Sequence, residues 1–217
     1  MAPDGEVKID KRVQRGEESR RAVLGRAMQL ASEEGLEGLS IGRLAADLHV
    51  SKSGVFMHFG SKEELQLATI RAARRVFSDH VTAPALAVAP GLPRLWQLSA
   101  SFFEYSAVRV FAGGCFFNTV SREFNTRPGK IRESIVDALA EWRTFRERVV
   151  EDAKQLGQLR ADTDAGRLAF MLHAAESAAE TEAFAFDDPT RYDIGRQAIR
   201  ALLREAATDP AAVDALV

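Results

Sequence analysis

Between residues 40 and 62, cations and hydroxyls recur at spacings that packing does not require. Ser40, Arg43, Ser51, Lys52, Ser53, Met57, His58 and Lys62 interleave with Ile41, Leu44, Ala45, Leu48, Val50 and Val55. The second set consists of the small or branched apolar residues that let one short helix lie across another. A core explains it, but a core does not explain the outward residues. Ser40, Ser51 and Ser61 each precede a helical pattern, where a hydroxyl accepts from an otherwise unpaired N–H of the first turn. Glu64 completes a capping box with Ser61. Free N–H groups at helix starts attract anions, so hydroxyls there, with Arg43, Lys52 and Lys62 beside them, suit an anionic partner.

The elements that position these groups are helices separated by Gly, Pro, Ser and Asp punctuation. The spacing predicts helices over residues 17–34, 41–48, 52–59 and 62 to about 80, then 92–108, 115–123, 128–156, 164–186 and 190–207. Helices 41–48 and 52–59, joined by a tight turn, make a helix-turn-helix. His49 stands in that turn, where φ is often positive. Pro128 suits a first helical turn, Gly35 and Gly157 suit helix ends, and the tail TDPAAVDALV is expected to fray. The stretch TAPALAVAPGLP holds three prolines and reads as the hinge. The expected fold class is all-α, in three parts. Residues 1–16 form a disordered basic arm, 17–79 a helix-turn-helix unit and 80–217 a larger helical unit. Seven basic residues face three acidic ones from Lys8 to Arg26, as in an arm that touches phosphates or a solvated tail.

Composition excludes more than it selects. The 217 residues are 46% hydrophobic and 28% charged, with a net charge of −2 that gives no global argument for nucleic acid. A single cysteine cannot form an intramolecular disulfide. No apolar run approaches about 18 residues and the N-terminus lacks an apolar signal core, so a cytoplasmic protein without a membrane partner is expected. There is no Walker loop, GxGxxG, CxxC pair or GxSxG elbow. His173-x-x-Glu176 reverses the Glu-x-x-His order of di-iron bundles and has no second copy. No catalytic site, cofactor or metal is expected.

The segment from Arg20 to Ala72 resembles the TetR family of bacterial transcriptional regulators. The run Val50, Ser51, Val55, Phe56, His58, Phe59, Ser61, Lys62 and Leu65 stands in the family's hallmark register, with Phe56 where a tyrosine is usual. That substitution removes a hydroxyl that commonly bonds a DNA phosphate. The resemblance implies a homodimeric, DNA-binding regulator, most often a repressor, on a palindromic operator of double-stranded DNA. Helix 52–59 would enter the major groove, which is wide enough for a helix. Lys52 and Ser53 are candidates for base edges and Met57 for a thymine methyl. Ser40, Arg43, Ser51, His58 and Lys62 are candidates for phosphates. Lys52 on a phosphate, Met57 inert, Lys62 merely solvated and His58 packed under Phe59 are the alternatives.

The resemblance further implies a small-molecule effector and a dimer interface in the larger unit, the latter on the last two long helices. Small residues at 174, 175, 178 and 179 let helices approach closely. Candidate pocket residues are Phe102, Tyr105, Phe116, Asn118, Trp142, Phe145, Phe170, His173 and Glu176, since small-molecule sites are largely aromatic with few polar groups. Plain core packing is the competing reading of each. Cys115, in AGGCFF, is either a buried thiol or a redox or electrophile sensor, which would need nearby positive charge. A DNA-binding module with no effector is the remaining alternative.

Overall fold

The computed structural model describes residues 11–216, with side chains from residue 14 onward. Among these residues the chain is helical and has no strand, apart from one isolated bridge between Leu159 and Ala207. The first unit comprises α1 (Lys11–Glu34), α2 (Ile41–Asp47), α3 (Lys52–Phe59) and α4 (Lys62–Phe77). After a π-helical turn (Ser78–Thr82) and a short α5 (Ala83–Leu86) come α6 (Leu92–Ala107), α7 (Phe116–Phe124) and α8 (Lys130–Gln155). The chain ends with α9 (Ala165–Ala185), α10 (Thr190–Ala206) and α11 (Ala211–Asp214).

The serine caps form as their spacing predicts. Ser40, Ser51 and Ser61 Oγ accept from the backbone N–H of Arg43, Gly54 and Glu64 at 3.1, 3.0 and 3.1 Å. His49 carries the turn at φ 54°. Val23, Ala27, Leu30 and Ala31 fall on one face of α1 and are buried with Leu44, Val55, Phe59 and Leu65, so α1 backs the helix-turn-helix.

Four expectations fail at chain boundaries. Residues 11–16, assigned to a disordered arm, open α1 instead, and a Gln14 to Glu18 side-chain bond spans one turn there. Residues 1–10, with Lys8, lie outside the described residues. The proline-rich stretch is no hinge at its start. Pro84 cannot donate to the carbonyl of His80 and would clash with it in a regular helix. The turn widens there, Ala83 N–H bonding Ser78 O, and helical structure runs on to Leu86. Buried Val81 and Ala85 fix that passage. Pro128 lies outside α8, because Gly129 at φ 126° and ψ 179° is not helical. The tail does not fray. Val213 is fully buried, and Thr208 bonds Gly157 O and Gln158 O.

Candidate nucleic-acid interface and internal cavity

Helix α3 has one inner edge and one free face. Val55 and Phe59 are buried, and the αL conformation of Gly60 (φ 73°) ends the helix. Lys52, Ser53, Phe56 and Met57 face solvent, Met57 at 85% exposure and Phe56 at 52%. The stem of Lys52 lies across α2 at Gly42, where a Cβ would sit 3.3 Å from Lys52 Cε. Ser40 and Ser51 bring the starts of α2 and α3 beside that face. Each hydroxyl accepts from its own helix and still has an O–H to donate. Ser53 lies 3.2 Å from Ser51 at their Oγ atoms.

Three of the candidates are already engaged. Arg43 grips Glu34 through both Nη atoms, the second contact at 2.7 Å. Lys62 Nζ donates to Glu37 O at 2.7 Å and Glu37 Oε2 at 3.2 Å. Both are exposed ion pairs, cheap to exchange. His58 differs more. It is half-buried, edge-on to Phe59, with Nε2 3.2 Å from Ser19 Oγ on α1. These contacts tie α3 to α1. Phe56, noted in the sequence only for a missing hydroxyl, adds an exposed apolar side chain to this face.

The second feature is a cavity of about 500 Å³ between α4, α6, α7, α8 and α9, within the usual range for small-molecule sites. Phe102, Asn118, Trp142, Phe145 and His173 line it as expected. Phe77 and Trp142 meet edge to face at 4.9 Å, and Trp142 stacks on Phe145 at 6.0 Å. Four other expectations fail. Phe170 points away and is 72% exposed, while Phe116 is fully buried core. Tyr105 is buried behind the wall, its ring against Phe77, Phe102 and Phe111. Glu176 lies beneath the wall in an ion pair. Unforeseen lining comes from α4 and its continuation: Arg71, Arg74, Arg75, Phe77, Ser78 and Thr82.

Two buried carboxyls one turn apart on α9 are held in opposite ways. Burial is the largest single influence on Glu176 and would raise it, but the Arg146 guanidinium (2.5 and 3.2 Å) leads the contacts that together outweigh it. With the Ser99 hydroxyl at 2.6 Å and the His173 ring 3.8 Å away, it holds the carboxyl down at about 2. Glu180 has no such cation. Burial pushes it up, opposed by Asn118 Nδ2 at 2.5 Å, Cys115 N at 2.7 Å and Ser106 Oγ at 2.9 Å. A carboxyl raised on folding stabilises the fold best in its protonated form. Its contribution is complete below about 4.5 and is lost as pH rises through the raised value. Glu180→Gln puts an uncharged group of the same shape there. It is expected to leave the thermal midpoint at pH 7 unchanged or raised and to flatten its fall above pH 4.5, as scanning calorimetry would read. A clear drop at pH 7 would mean that Glu180 acts as a carboxylate.

Cys115 lines the same cavity at 4% exposure. Burial, with the Glu180 charge beside it, pushes the thiol up to about 12. That shift disfavours the thiolate that a redox or electrophile sensor needs.

Cavity and reading helix are physically joined. α4 runs from its Ser61 cap beside α3 to the cavity arginines. A second seam joins α1 to α7 and the loop before it. Gln29 Nε2 donates to Val110 O and Ala112 N to Gln29 Oε1, both at 2.9 Å, and Gly113 N donates to Ser32 Oγ at 3.1 Å. A Cβ at Gly113 would sit 2.0 Å from Ser32 O. Glu123 caps the loop after α1 by accepting from Leu36 N and Glu37 N at 2.7 and 2.9 Å.

Comparison with known proteins agrees with this architecture. The family model described as "Bacterial regulatory proteins, tetR family" matches residues 23–69, and the "Tetracyclin repressor-like, C-terminal domain" model matches residues 91–199. The transcriptional regulator AcuR of Cereibacter sphaeroides is 23% identical over 150 residues, 68% of either chain. A TetR transcriptional regulator from Chloroflexus aurantiacus superposes with a TM-score of 0.82 at 23% identity, covering 89% of this chain and 98% of that one. AibR, solved in complex with isovaleryl coenzyme A and operator DNA, gives 0.66 at 22% identity, covering 85% and 97%.

Proposed function

The chain belongs to the TetR family and is a DNA-binding transcriptional regulator, and on that premise we propose that it is a homodimeric repressor released from a palindromic operator by a small molecule held in the cavity. The observation that carries this reading is the free Lys52–Met57 face of α3, bordered by the serine-capped starts of α2 and α3. Lys52, Ser53, Phe56 and Met57 meet base edges. Ser40 and Ser51 donate to phosphates, and Arg43 and Lys62 trade their carboxylates for phosphates on docking. His58 positions α3 rather than contacting DNA. The reading is of a regulator and not of an enzyme.

The dimer face is formed by α9 and α10. Phe170, Ala174 and Ala178 form an exposed row on α9, and Ile194, Gln197 and Ala201 form one on α10. Phe170 and Ile194 are 72% and 52% exposed, which a solitary chain would not favour. A two-fold axis through this face sets two α3 helices on successive turns of one DNA face. Ligand acts by favouring one spacing of the two reading helices, which requires tighter binding to that state. AibR, with its acyl thioester and operator, is the fold neighbour that supports an effector of this kind.

The test is salt dependence. If the dimer neutralises about eight phosphates, log affinity falls against log salt with a slope near −7. Phe170→Glu is expected to halve the mass seen by light scattering and to halve the slope, because one reading helix remains. A variant that stays dimeric, or a slope unchanged in a monomer, counts against this arrangement.

A further inference from the structure

The cavity has two unlike walls. Phe102, Phe117, Trp142 and Phe145, on α6, α7 and α8, make the apolar one. The other is α4 with the π-helical turn, which brings Arg71, Arg74, Arg75, Ser78 and Thr82 to the cavity, Arg71 and Arg75 one turn apart, beside Phe77. Three guanidiniums face one lining carboxylate, Glu141, which is bonded to Arg74. Arg71 and Arg75 are exposed and have no carboxylate partner among the described residues. They sit one turn apart, so their like charges repel until something anionic lies between them.

We propose that the ligand is an amphipathic organic anion, its apolar body against Trp142 and Phe145 and its carboxylate or phosphate on Arg71 and Arg75. This deepens, and rests on, the reading of the cavity as the effector site. Guanidiniums bind both oxyanions through paired N–H donors. The anion also competes with Glu141 for Arg74. Binding thereby loosens α4 from α8 on the helix that carries the reading head. A free acid and a coenzyme A thioester both supply this chemistry.

Trp142 fluorescence tests the proposal in the full chain carrying Trp96→Phe, which leaves one indole, on the cavity wall. The probes are octanoate, octanoyl coenzyme A and the uncharged 1-octanol. At least one anion is expected to bind roughly tenfold tighter than 1-octanol, the gain of a charge-assisted contact. Octanoate would identify a free carboxylate as the preferred group, and the thioester alone a phosphate. In Arg71→Gln/Arg75→Gln that preference vanishes while 1-octanol binds as before. Glu141→Gln tightens the anion alone. If 1-octanol binds as tightly as both anions, the charge assignment is overturned and the cavity stands as a binding site. If no probe perturbs Trp142, the effector-site reading falls with it. A preference that survives the double glutamine variant overturns the two arginines.

Discussion

Replacing Arg146 by methionine is expected to destabilise the protein by about 3–5 kcal/mol, the cost of leaving a buried carboxylate without its cation. At this chain length that lowers the thermal midpoint by roughly 6–20 °C. Arg146 and Glu176 are 3% and 0% exposed, so no solvent screens the loss. Their bond joins α8 to α9, and Ser99 Oγ at 2.6 Å adds α6. Trp142 and His173, each within a turn of the pair, line the cavity, so the same bond sets its walls. The double variant Arg146→Met/Glu176→Leu should recover most of the loss, because no charge is then stranded. The effect also has a pH signature. In the native protein Glu176 is held below its ordinary value, so its contribution is present above about 4.5 and is lost as pH falls from there towards about 2. In Arg146→Met unopposed burial raises the carboxyl, so the deficit shrinks on acidification. Unfolding scans at pH 7 and pH 4 measure both. A deficit equal at the two pH values would show that packing, not charge, is lost.

Met57→Glu is expected to abolish specific DNA binding, by about 100-fold or more, while leaving stability within about 0.5 kcal/mol. A side chain that is 85% exposed has little packing to lose. A carboxylate at that place meets the phosphate field of the duplex at close range. Lys52→Ala gives a graded version. If Lys52 reads a base, it costs about 1–3 kcal/mol and relaxes preference at one position; if it holds a phosphate, it weakens all sequences alike and lowers the salt slope by about 1. Fluorescence anisotropy on a set of single-position operator variants separates the two. Unchanged affinity in Met57→Glu would place the DNA elsewhere on the protein.

The helix-turn-helix was legible because its signals are local. Ser40, Ser51 and Ser61 cap the helices that follow them within a few residues, and the apolar seam of α2 and α3 repeats at helical spacing. The cavity was legible only in part. Phe102, Trp142 and Phe145 stood out as aromatics on the helices of the larger unit, and His173 as a polar group on an apolar helix. Phe170 misled because α9 is apolar on both sides: one face packs on the core, the other is free, and periodicity cannot tell them apart. Arg71, Arg74 and Arg75 escaped because the prolines suggested a break near residue 80. That break made α4 part of the DNA-reading unit alone. The π-helical turn before Pro84 carries the helix through, so one α4 serves both ends. The Arg146–Glu176 pair, thirty residues apart in sequence, left no local trace.

The face of α3 between Lys52 and Met57 is the point on which the functional account turns, and selection of bound duplexes from a random pool addresses it most directly. The account predicts an inverted repeat whose half-sites are centred one helical turn, about 10 base pairs, or a multiple apart. Enrichment disappears in Lys52→Ala/Met57→Glu although that variant still dimerises. Recovery of no common sequence, or enrichment undiminished in the double variant, would contradict it.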